Sequence, residues 1–153
     1  MVNPLNFATV EAALVSQLIT DVDEFTANNL KAMDYDSVYL YALKESDVDF
    51  FAWTNFTGGQ NQGRGIWAHN IVLIVGIFYS AGVLLLDQNV RTITTAIQAS
   101  LLPDTSLSGA STSTRLEGIG SPVAWENIET NSTYVTVTYS IVAEEQMRTG
   151  SAL

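Results

Sequence analysis

The sequence predicts an α+β fold: a mixed, mainly antiparallel sheet packed against two helices, in the order α-β-β-β-α-β-β. Three stretches carry that prediction. Residues 71–79, IVLIVGIFY, are an apolar run rich in β-branched side chains with no polar alternation, the pattern of a strand buried on both faces. From Leu86 the period changes, with apolar residues at Val90, Ile93, Ile97 and Leu101 and polar ones at Gln88, Arg91, Thr94, Thr95 and Gln98 between them. That is a helix with one apolar face, and Pro103 ends it. Residues 133–142 alternate, Val135, Val137, Tyr139 and Ile141 on one side and Thr136, Thr138 and Ser140 on the other, as a strand covered on one face does. A buried strand backed by the helix that follows it makes a two-layer core.

The remaining elements follow in chain order. Asn3 is placed to cap a helix with Pro4 at its first position, or Asn6 does so a turn later. Phe7, Val10, Leu14, Leu18 and Val22 recur at helical spacing through FATVEAALVSQLITDV. The acids at Asp21, Asp23 and Glu24 oppose the dipole at that helix's end, a conflict that fraying or basic neighbours from another chain would relieve. Residues 26–36 show no period and read as a connection. Residues 38–43 and 49–56 have strand composition, with a turn at 44–48 between them. In the second strand Phe51, Trp53 and Asn55 share one face, and Phe50, Ala52 and Thr54 share the other. Residues 57–65, TGGQNQGRG, hold four glycines among polar residues and read as a flexible loop leading to a strand at Ile66. After the central helix, residues 104–114 are a Ser/Thr-rich linker. Residues 115–120 then form a short strand broken by Pro122, and residues 123–128 either continue it or form a loop that packs Trp125 on the sheet. The tail, Ala143 to Leu153, is polar with a late glycine and reads as loose, most of all from about residue 146.

At 153 residues the chain reads as a single domain able to bury roughly two-thirds of the surface of its unfolded form. It has no cysteine, which excludes disulfides, thiolate chemistry and sulfur-based zinc sites. The first residues carry neither the basic segment nor the apolar run expected of a signal peptide. The uncharged stretch 71–86 is shorter than the roughly twenty residues that span a bilayer, and contains Gly76, Ser80 and Gly82. Sixteen acids oppose six bases, for a net charge of −10, and eight of those acids fall between residues 21 and 49. Such a chain repels phosphate backbones, which argues against tight nucleic-acid binding. Only 14% of residues are charged while 47% are hydrophobic, so many surface positions are uncharged or apolar, which contacts between subunits would account for.

Candidate chemistry is sparse. His69 is the only histidine, beside Trp67 at the entry of the central strand, and no GxSxG elbow accompanies it, so it reads as a structural residue. Asp21/Asp23, Asp34/Asp36 and Asp47/Asp49 have a spacing that could serve a hard cation, but none is followed by the glycine and glutamate of a calcium loop. The glycine-rich segment leads into a strand with no lysine, unlike a phosphate-binding loop. No cofactor and no metal is expected. The sequons at Asn55 and Asn131 have meaning only in a secreted protein.

With the apolar strand HNIVLIVGIFYS, the helix NVRTITTAIQASLLP and the ending RLEGIG…STYVTVTYSIVAEEQ, the chain resembles the tail terminator (tail-completion) proteins of long-tailed bacteriophages over about residues 5–145. The resemblance is one of element order and texture. It implies a non-enzymatic structural protein of the virion neck, assembled in the host cytoplasm as a homohexameric ring. Such a ring caps the tail tube, ends its polymerisation and meets the head-tail connector, and the genome passes through it without specific binding. On that reading Gly58, Gly59, Gln60, Asn61, Arg64 and Trp67 are candidate contacts with the tail tube or a neighbouring subunit, and Asp47 and Asp49 are candidate acids of the lumen or rim. The alternatives are a capsid-side stopper or connector, a small acidic module that binds a peptide at a strand edge, and an enzyme built on His69 and nearby carboxylates.

Overall fold

The computed structural model describes residues 7–27, 29–32, 50–78, 83–101, 106–107, 111–127 and 132–146. Its elements are α1 (Phe7–Asp21), β1 (Leu30–Ala32), β2 (Phe50–Gly63), β3 (Ile66–Phe78), α2 (Val83–Leu101), β4 (Ser113–Ile119), β5 (Val123–Asn127) and β6 (Ser132–Gln146). The strands form one sheet in the order β1-β2-β3-β6-β4, with β5 pairing β6 beside β4. Every pairing is antiparallel except β1 with β2. The α+β class and the succession of helix and strand segments match the expectation from sequence. The expected caps at Asn3, Pro4 and Asn6, the strand at 38–43, the turn at 44–48 and the tail beyond 146 lie outside the described residues.

Both helices pack on one face of the sheet, and the periodicities that predict them are those that become buried. Val10, Leu14 and Leu18 from α1, Val22 just beyond its end, and Ile93, Ile97 and Leu101 from α2 meet Ile71, Leu73, Val75 and Ile77 of β3 and Val137, Tyr139 and Ile141 of β6 in a single core. At about 25 cal/mol per Å² of apolar surface removed from water, this core supplies most of the drive to fold. The helices are also clasped to each other. Gln17 Nε2 donates to the Ser100 carbonyl at 3.1 Å, and the Ser100 hydroxyl donates to Asp21 at 2.6 Å. A neutral hydroxyl on α2 thus donates to the acid at the end of α1.

Leading into β1, Asn29 organises the connection after α1. Its Oδ1 accepts from the Thr26 amide at 2.7 Å, its Nδ2 donates to the Glu24 carbonyl at 2.9 Å, and its own carbonyl accepts from the Ala52 amide at 2.7 Å. That last bond starts the parallel β1–β2 pairing, in a segment whose sequence reads as an irregular connection.

Four further expectations are corrected. Residues 57–65 are not a loop: β2 continues to Gly63, paired with β3 along its length, and only the turn around Arg64 connects them. Bulges between Phe56 and Gly58 and between Asn61 and Gly63 let the glycine-rich chain stay in register, and Gly58 takes a φ of 129° that few other residues adopt. The polar composition of this stretch means that it has no core to pack, while its backbone bonds come from β3. The central strand is fully buried on one face only, since Val72 and Ile74 on the other are partly exposed. The end of the expected linker is ordered, with β4 beginning at Ser113 and Leu107 buried in the core. Residues 123–127 form a separate strand on β6.

Tyr139, 1% exposed, places its hydroxyl 2.6 Å from Thr94 Oγ1 on α2. Burial raises its pKa above the ordinary 10.0, and the Thr94 hydrogen bond lowers it in part. The fold favours the neutral phenol, so this contribution to stability is complete below the unfolded value and is lost as pH rises through the folded one. Tyr139→Phe is expected to cost about 1 kcal/mol at neutral pH through the lost hydrogen bond. It is also expected to flatten the alkaline decline in stability. Urea midpoints for both proteins across the range from neutral to strongly alkaline pH check both effects.

Candidate interaction surface

The six candidate contact residues fall together on the turn-proximal half of the β2–β3 hairpin. Gly58 stands opposite Asn70, Gly59 opposite His69, Gln60 opposite Ala68 and Asn61 opposite Trp67, while Arg64 occupies the turn. The apolar core ends at Ile71 on β3 and Ala143 on β6, and the paired strands continue past it. Gln60, Asn61 and Arg64 are exposed, and Gly58, Gly59 and Trp67 are partly buried. The turn uses left-handed backbone at Gly63 (φ 83°), Arg64 (φ 56°) and Gly65 (φ 76°), which explains the glycines flanking Arg64. Asn61 Oδ1 accepts from the Gly63 amide at 2.7 Å, and Gln146 Nε2 of β6 donates to the Gly65 carbonyl at 3.1 Å, tying down the tip. Asp47 and Asp49 lie outside the described residues.

Trp67 lies against Gly59. A Cβ on Gly59 would overlap the indole Nε1 and stand 2.9 Å from the Ala68 carbonyl, so this strand position requires glycine. The indole Nε1 has no hydrogen-bond partner among the described residues. Gly59→Ala is expected to displace the indole and cost about 1–3 kcal/mol, as overpacking against fixed neighbours does. Denaturant unfolding measures the loss, and a shift in tryptophan emission reports the displaced ring.

His69, 0% exposed, sits two residues further along the same side of β3, its Nε2 2.7 Å from Glu145 Oε2 on β6. The bond joins chain positions 76 apart and holds β6 against the hairpin. Glu145 belongs to a stretch that reads as tail. The alternation beginning at Val135 nevertheless puts it on the covered side, since Ile141, Ala143 and Glu145 continue the same parity. On α1, Glu11 is likewise buried and accepts from Thr54 Oγ1 at 2.7 Å, fastening α1 to β2.

The sheet's second face has no described helix on it. Trp53, Val72, Ile74 and Val142 lie there with Asn55, Asn70, Thr136 and Thr138, all partly exposed. At its β4 side Arg115 bonds Glu144 at 2.8 Å and Glu117 at 2.5 Å. Glu144, and then Glu117, push the Arg115 guanidinium above its ordinary pKa. The bridges are well exposed, so each contributes no more than about 1 kcal/mol. Two carboxylates around one guanidinium leave that rim of the sheet net negative.

Among the described residues no three metal-ligating side chains converge, and no described helix is long and apolar enough to cross a membrane. The features that stand out among the described residues are thus extended surfaces: a half-apolar sheet face on which no described helix lies and a polar hairpin arm continuous with it. No protein-family model matches the chain, and no curated protein matches its sequence.

Proposed function

We propose that this chain is a structural protein of the neck of a long-tailed bacteriophage, a tail terminator. In this reading it is not an enzyme. Copies of it form a ring, six in the closed assembly, that seats on the last ring of tail-tube protein, stops tube growth and presents its other side to the head-tail connector.

The observation that carries the reading is the asymmetry of the sheet. One face is sealed by α1 and α2, while the other keeps Trp53, Val72, Ile74 and Val142 at its surface in a chain only 14% of whose residues are charged. A face of this composition suits contact with other subunits. The net charge of −10 supports the same reading, because a genome slides past an acidic ring without being retained. The resemblance in element order to tail terminators adds the identity of the partners.

The test is to polymerise tail-tube protein with and without the purified chain and to image the products by electron microscopy. The expected result is short tubes of narrow length distribution, each with an added ring at one end. Bare tubes of unchanged length would reject the terminator. Rings that bind the portal end of emptied capsids, and leave tubes bare, would favour a capsid-side stopper instead.

A further inference from the structure

We propose that the outer edge of β2 between residues 58 and 63 accepts the outer edge of β4 from a second copy of this chain, so that successive copies join head to tail as one continuous sheet. This rests on the ring-forming reading above and names the surface through which the copies meet.

Among the described residues nothing pairs the β2 edge beyond Thr54, and its sequence carries no chemical guard. β1 is three residues long and pairs only with Ala52, Trp53 and Thr54. Beyond Thr54 no described strand lies on that side of β2, and Gln60, Asn61, Gln62 and Gly63 are exposed. The direction of the free backbone groups follows from the register. The Ala52 amide bonds the Asn29 carbonyl on the β1 side, so by the period of two Phe56 also points outward. The bulge after Phe56 shifts the parity by one, and Gly59 and Asn61 then point outward. Natural edges are guarded by proline, lysine or inward-pointing charge. From Asn55 to Gly63 there is none of these, and the guards present are the bulges at the two ends.

On its opposite side the sheet has a second edge that pairs with no described strand. β4, seven residues long, pairs β6 on one side and no described strand on the other. Two different edges at opposite sides of one sheet make a contact that repeats in one direction, and such contacts close into rings when the rotation per copy allows. Charge selects the pairing. In a chain of net charge −10 the β2 edge is an uncharged run ending at Arg64, whereas the β4 rim carries Glu117 and Glu144 around Arg115. A positive tip therefore meets a negative rim, and the amide side chains of Gln60, Asn61 and Gln62 can donate and accept along the joint.

The chain has no cysteine, so introduced thiols are unambiguous. Gln60→Cys, Glu117→Cys and the double variant are treated with a short bis-maleimide under assembly conditions and analysed on denaturing gels. The double variant is expected to give a ladder ending at a closed multimer, while each single variant stays monomeric. Dimers from Gln60→Cys alone would overturn the inference, because the β2 edge would then pair with itself. An unlinked double variant that still forms rings would overturn it too, yet leave the ring-forming reading intact. A wild-type chain that never assembles would remove both. As a second arm, Gln60→Glu with Gln62→Glu adds like charge at exposed positions and is expected to raise the concentration needed for assembly by at least about tenfold, with an unaltered circular dichroism spectrum. Unchanged assembly would contradict the proposal.

Discussion

Leu73→Ala is expected to destabilise the protein by about 3–5 kcal/mol, a large share of the stability of a domain this size. Leu73 is 0% exposed and sits mid-strand in β3, opposite Thr54 of β2 and Tyr139 of β6, beneath both helices. Truncation removes the transfer energy of the missing carbons and leaves a cavity. The paired strands on either side limit collapse into it, because each is held by its own ladder. Denaturant unfolding checks the loss, and the slope of the transition is expected to stay unchanged, since the surface exposed on unfolding is nearly the same. By contrast Val72→Ala, one position away on the face without a described helix, is expected to cost no more than about 1 kcal/mol, because that side chain is partly exposed. A similar loss at both positions would mean that the second face is covered as fully as the first.

His69→Ala is expected to have the second large effect, about 2–4 kcal/mol, by a different route. The imidazole is fully buried and its Nε2 lies 2.7 Å from Glu145, so truncation leaves a cavity beside a carboxylate that is only 13% exposed. Removing one partner of a confined carboxylate costs more than the bond contributed. The double variant His69→Ala with Glu145→Ala is therefore expected to recover part of the loss, and a double-mutant cycle measures the coupling. Strictly additive losses would show that the two side chains do not support one another. In the structural reading neither substitution affects any turnover.

The contrast between these residues explains which parts of the molecule are legible in sequence. The spacing of Val10, Leu14 and Leu18, of Ile93, Ile97 and Leu101, and of Val135, Val137, Tyr139 and Ile141 is written by burial on one face. The helices and the last strand are therefore predictable from period alone. β1 has no such signal. Three residues leave too short a pattern, and the strand forms because the Asn29 carbonyl meets the Ala52 amide 23 positions later in the chain, which no local window contains. The glycine-rich half of β2 misleads for the opposite reason: its composition is that of a turn, but β3 supplies its backbone partners and two bulges absorb its irregular geometry. Gathering Gly58, Gly59, Gln60, Asn61, Arg64 and Trp67 on one arm was legible, since they lie close in sequence. The contact between the Trp67 indole and Gly59, and the bond from His69 to Glu145, were not, because each depends on a register set by the whole sheet.

Sedimentation velocity of the purified chain over a wide concentration range, alone and with tail tubes, tests the central claim that this molecule works by joining copies of itself. The account predicts one closed oligomer of defined size, formed alone or on the tube end. A species of 16.6 kDa at every concentration, with tubes that sediment unaltered in its presence, would contradict it.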